Sequence, residues 1–236
     1  MKVVVTHLTR MKYPRICVAG LDDNGRYLRP IVGKAEQITI KLVKSGVLRL
    51  GYQIDLGWHK FKEPPQPPEV EDCYFKIANV RVIRQLSPDE FWSYLASSAR
   101  ESVSEIFGNA LRPHSTTMAI PANKGVASLG DLWVDRLELV IEEYNGQPKL
   151  RGRFIVDEER RLSVAVTDLR FYIEADGEYR LDIDKVSKVQ ESLQKTRGRV
   201  VLSLGLSRAK AARDGEVPMH WLQINGVHSE EDPLWS

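Results

Sequence analysis

The sequence predicts an all-β protein, mainly strands with a few helices, folded as two small barrels joined by a helical linker. Three observations predict it. Most apolar residues recur at alternate positions, the period of strands with one buried face. Helical spacing is confined to two short stretches. Turn-forming residues punctuate the chain often enough to separate short strands. With 236 residues, 42% of them hydrophobic, the chain can fill the cores of two small domains.

In the first half, KVVVTHL, RICVAGLD, RYLRPIV, GYQIDLGW and CYFKIANVRVI are rich in branched and aromatic residues and read as strands. Asp23-Asn24-Gly25 between two of them is a hairpin signal. No helical pattern occurs before residue 87, so the segment 33–46 is expected as a loop. EPPQPPEVED at 63–72 carries four prolines and is expected as an extended surface loop. SPDEFWSYLASSARESVSEIF predicts one or two helices over 87–107, with Ser87 as cap and Pro88 at the first helical position.

The second half predicts strands near 133–144, 149–157 and 162–172. Leu150, Phe154 and Val156 face one way in KLRGRFIV while Lys149, Arg151 and Arg153 face the other. A helix at 184–196 follows, with Asp184 as cap, Val186, Val189 and Leu193 as its stripe and Gly198 as the stop. Strands near 199–207 and 218–227 complete the chain. Three strands, a helix and two strands is the element order of the five-stranded OB-fold barrel. The expected division is a barrel at 1–86, a helical linker at 87–115 and a second barrel at 116–236.

Charge is balanced overall, 34 Lys+Arg against 32 Asp+Glu, but uneven along the chain. Residues 1–60 hold 11 Lys/Arg against 4 Asp/Glu, and residues 185–213 hold 8 against Glu191 alone, so each half has a basic segment of net +7. Residues 157–184 are acidic, 4 against 9. Two basic segments suit a polyanion. Cys17 and Cys73 stand far apart, which argues against a disulfide framework or a zinc ribbon. The five histidines show no metal-ligand spacing, and no nucleophile elbow or phosphate loop appears, so no cofactor or metal is expected and the chain is expected not to be an enzyme. Without a membrane-length apolar run or a secretion signal, a cytoplasmic location is expected.

RICVAGLDDNGRYLRPI, together with VTDLRFY and MHWLQINGVH, resembles the dual OB-containing domain family. The resemblance covers most of the chain and implies two OB-folds, nucleic-acid binding and an accessory role beside defence or conflict systems. It carries no catalytic residues. Where the pattern commonly places a tryptophan, this chain has Tyr27 and Leu28.

OB-folds hold single strands by stacking bases on exposed rings and running phosphates along cations. The candidates in the first half are Lys12, Arg15, Arg26, Tyr27 and Arg29, with Tyr27, Arg29 and Ile31 on one strand face, and His59 and Lys60 beside Trp58. In the second half they are Arg112, the strand pair Arg151 and Arg153, the helix-end pair Arg197 and Arg199 near Lys195, and Arg208 and Lys210 in the basic loop at 207–215. The expected ligand is single-stranded or irregular RNA or DNA. A protein partner docking on the acidic segment is the alternative. A nucleotide-directed enzyme using Asp168 or His114 is a third reading, against which an Asp after a strand more often orders the local turn.

Overall fold

The computed structural model describes residues 1–33, 35–156, 160–211 and 217–235. It is mainly β, with two curled half-barrel sheets. In the first, β1 (Lys2–Arg10), β2 (Ile16–Asp22) and β3 (Tyr27–Ile31) form an antiparallel meander. The Asp-Asn-Gly turn closes as expected: the Asp22 carboxylate accepts from the amides of Asn24 and Arg26, and Gly25 takes a positive φ. Next come α1 (Ile40–Lys44), β4 (Tyr52–Asp55), β5 (His59–Phe61) and β6 (Asp72–Phe75). The expected loop at 33–46 thus contains a helix, whose five residues are too few to display a 3.6-residue period.

β6 runs parallel to β3 and antiparallel to β5, while β4 runs antiparallel to β1. β4 and β5 are two halves of one extended segment broken at Gly57, whose φ of +61° suits a residue without a side chain. The sheet therefore curls until its two sides are supplied by neighbouring stretches of one segment. β7 (Arg81–Gln85) extends it beyond β4.

α2 (Pro88–Ser98) and α3 (Val103–Phe107) follow. Ser87 and Glu90 cap α2 reciprocally, with Pro88 in its first turn, as the sequence predicts. The second sheet contains β8 (Arg112–His114), β9 (Thr117–Pro121), β10 (Leu129–Val134), β11 (Glu138–Tyr144), β12 (Gln147–Val156) and β13 (Arg160–Val166). β14 (Tyr172–Ala175) and β15 (Glu178–Leu181) form a separate two-stranded hairpin, α4 (Ile183–Lys195) follows it, and β16 (Val200–Leu206) and β17 (Met219–Ser229) complete the second sheet. The predicted strand at 133–144 is two strands, and α4 is capped by Asp182, not Asp184, so the helix begins two residues earlier than a cap at Asp184 allows. The plan repeats that of the first sheet: β11, β12 and β13 form a meander, and β17 lies parallel to β13 and antiparallel to β16. Here it is the first strand that is broken, into β10 and β11. Extra strands and these breaks bring the sheets to seven and eight strands.

Each sheet encloses its own apolar core, and a third cluster joins them. Val4 of β1 and Val201 of β16 meet Phe91 and Leu95 of α2, all fully buried. Burying each such side chain contributes about 1.5–3 kcal/mol. The segment expected as a linker is therefore wedged into the joint. The backbones also meet directly, with the Arg10 amide donating to the Thr167 carbonyl at 2.9 Å. No helix among the described residues is long and apolar enough to cross a membrane.

Candidate functional site

Leu28 of β3 points into the first core, which sends Tyr27, Arg29 and Ile31 to the outer face. The register continues that face sideways: Arg29 lies beside Asp72, and Ile31 beside Tyr74, which in turn lies beside Lys60. One end of this face is covered by the second barrel. Arg29 is only 3% exposed, and its Nε donates to Asp72 Oδ1 at 2.6 Å. Arg208 reaches across from the second barrel, with Nη1 3.2 Å from Asp72 Oδ2 and 2.5 Å from Glu69 Oε2. Arg29 thus points outward as predicted but is not presented to solvent: it pairs with Asp72 of its own barrel, and Arg208 of the second barrel closes on the same carboxylate.

Tyr27 is drawn into the same seam. Its hydroxyl donates to Ser98 Oγ at 3.2 Å, and Ser98 donates to Asp131 Oδ2 at 2.5 Å. Ser203 donates to the other Asp131 oxygen at 2.7 Å. Burial first, and Asp131 second, push the Tyr27 phenol well above its ordinary pKa. A second tether lies alongside, where the buried Glu71 carboxylate accepts from the amide and hydroxyl of Ser128, each at 2.7 Å.

At the open end of the face, the β1–β2 loop of the first barrel meets the start of the β16–β17 loop of the second. Between them lies a groove of about 660 Å3. It gathers Lys12, Arg15, Arg29 and Arg208 from the predicted set. Arg29 and Arg208 are ion-paired; Lys12 and Arg15 are exposed and, among the described residues, have no carboxylate partner. The groove adds Arg10, whose guanidinium lies 4.3 Å from the centre of the Tyr172 ring, and Tyr74, 36% exposed. Neither was singled out from sequence. Tyr74 was findable there, since it alternates with the inward residues Cys73 and Phe75. Cys17 also lines the groove, where burial raises its thiol pKa and nearby Arg29 only partly offsets this.

No family model matches this chain, and no curated protein matches it. The site is therefore read from its own geometry.

The other predicted residues are dispersed. Arg26 lies 4.3 Å over the Phe61 ring and lines, with Tyr27, a separate cleft where Asp22, Asp23, Glu105 and Asp131 face Arg26 and Arg100. His59 sits 3.0 Å from the Gly57 carbonyl, and Lys60 is exposed beside Tyr74. Trp58 is half exposed near Lys76. Arg112 is exposed on β8, and His114 stands edge-on to Trp221. Arg151 and Arg153 share an outer face as predicted, yet Arg153 pairs with Glu142 at 3.1 Å and Arg151 donates to the Ser163 carbonyl. Carboxylates of β11 thus partly cancel that basic face. Arg199 lies 3.6 Å over Trp133 and pairs with Glu101, while the Arg197 amide donates to Glu231. Lys210 is exposed, its backbone paired with Met219. Residues 212–215 of the predicted basic loop lie outside the described residues, as do residues 157–159 of the acidic segment.

Within the described part of that acidic segment, Glu174 pairs with Lys44 and accepts from Tyr13 of the first barrel. Asp168 orders its local turn, accepting from the Arg170 amide at 3.0 Å and pairing with the Arg170 guanidinium.

Proposed function

We propose that the chain binds single-stranded nucleic acid in the groove between its barrels and catalyses no reaction itself. The observation that carries this reading is that Lys12 and Arg15 of one barrel, without a carboxylate partner among the described residues, face the start of the β16–β17 loop of the other beside the exposed Tyr74 ring. Phosphates would run along Arg10, Lys12 and Arg15, and a base would lie on Tyr74, each stacked base contributing about 1–3 kcal/mol. We read each barrel as an OB-fold. In support, each has a three-strand meander, a helix and two further strands, the last parallel to the third. In that fold the loops after the first and fourth strands flank the ligand, and the groove is bordered by one loop of each kind.

The test is a fluorescence anisotropy titration of labelled oligo-dT, oligo-U and duplex probes at low and moderate salt. Single strands should bind tighter than duplex, and Lys12→Glu or Arg15→Glu should weaken binding while melting at the native temperature. Absence of single-strand binding at low salt would overturn the reading.

A further inference from the structure

A strand-tracking OB surface engages roughly 4–16 nucleotides along an extended path. The groove here is different in scale. Its volume, about 660 Å3, falls within the range of small-ligand pockets, about 300–1,000 Å3. Its charge is concentrated as well. Asp72 and Glu69 cancel Arg29 and Arg208, which among the described lining residues leaves Arg10, Lys12 and Arg15 against Glu36, a surplus of two positive charges. The wall also has hydrogen-bonding capacity that the protein does not use. Thr9 Oγ1, Arg10 Nε and Arg29 Nη2 are buried without a partner among the described residues, and all three residues line this groove. Thr9 and Arg29 are each more than nine-tenths buried.

An internal phosphodiester brings one negative charge and requires an exit for the chain on both sides. A terminal phosphate monoester brings roughly two negative charges at neutral pH and requires only one exit. We propose that the groove is an end site, holding the terminal phosphate of a nucleic-acid strand with the adjoining base on Tyr74. This rests on the single-strand reading above and specifies what part of the strand is bound. A free nucleoside monophosphate presents the same chemistry from another source.

The experiment compares full-length protein binding to oligo-dT of about ten nucleotides carrying a 5′-phosphate, a 3′-phosphate or only hydroxyl ends, with AMP as a competitor. A phosphorylated end should bind about tenfold tighter than the hydroxyl-ended probe, as one additional charge-assisted contact implies. Arg15→Glu and Lys12→Glu should each reduce that preference, with unchanged thermal melts showing that the barrels remain folded. Equal affinity for all three probes overturns the end site and leaves single-strand binding standing. A preference that survives both substitutions overturns its placement in this groove. AMP competing as strongly as the phosphorylated strand assigns the groove to a free nucleotide. Failure of every oligonucleotide to bind at low salt overturns the parent reading with it.

Discussion

Replacing Asp72 by Asn probes whether the barrels dock in solution as they do in the structure. Asp72 is 2% exposed and takes the Arg29 guanidinium at 2.6 Å on one oxygen and Arg208 at 3.2 Å on the other. The amide keeps the shape and removes the charge, leaving Arg29, itself 3% exposed, without its counterion. Stranding one member of a buried pair costs about 3–5 kcal/mol. For a chain of this length each kcal/mol moves the melting temperature by about 2–4 °C, so a fall of roughly 6–20 °C is expected in calorimetry. Arg29→Met combined with Asp72→Leu should recover much of that loss, because an apolar pair of similar volume avoids the desolvation of two ions. A loss below about 1 kcal/mol for Asp72→Asn would match an exposed pair. It would mean that this face is hydrated in solution, and one wall of the groove would not exist.

Acidification should destabilise the joint through His7 and His228. Both are buried, and burial lowers the pKa of each, Asp131 and Asp168 partly opposing it at His7 and Arg170 adding to it at His228. The unfolded chain takes up these protons near pH 6.5 and the folded chain does not, so their stabilisation is present above that pH and lost as pH falls below it. Melting temperatures measured from pH 8 to pH 5 check the sign. Glu71, which burial raises, works in the opposite sense nearer the carboxylate range. Gly205→Ala should destabilise by about 1–3 kcal/mol in urea titration, because the added Cβ would stand 1.9 Å from Asn225 Nδ2 in the groove wall. For oligo-dT, the slope of log affinity against log salt should become shallower by about 1.4 when Lys12 and Arg15 are both replaced by Gln, about 0.7 for each lost phosphate contact.

The strand faces were legible because a period of two fixes which residues point inward, and Leu28, Leu150, Phe154 and Val164 are all buried where alternation puts them. In the second half the long elements were legible in order, but the short strands β8, β9, β14 and β15 were not, and the strand expected to reach residue 172 ends at Val166, because three to five residues are too few to show a period. Alternation says only that a residue faces away from its own core. It does not say whether solvent or a second barrel lies there, which is why Arg29 and Tyr27 read as surface and are found in a seam. Breaks such as the one between β10 and β11 interrupt a strand without changing its pattern. Groove membership depends on which loops become neighbours, so Lys12 and Arg208 could be named individually but not paired. Arg151 and Arg153 were placed correctly on one face, but their neutralisers Glu138 and Glu142 lie on a strand paired by register, which composition along the chain does not reveal.

The residues that make the joint also shape the groove. Arg208 clamps Asp72 and Glu69 and so fixes the start of the β16–β17 loop against the first barrel; the Arg10 amide holds the end of β1 against Thr167. Lys12, Arg15 and Tyr74 line the same groove, and among the described residues none of their side chains forms an ion pair or hydrogen bond across the joint. Stability and recognition are thereby separated by residue while sharing one interface. Substitutions at the ties should lower stability and affinity together, and substitutions at Lys12 or Arg15 should lower affinity alone. Tyr74→Ala falls between, because its ring is only partly exposed: it should weaken oligonucleotide binding by about one stacked base with a smaller effect on the melt. A loss of stability without a loss of affinity at Tyr74 would show that the ring packs rather than stacks.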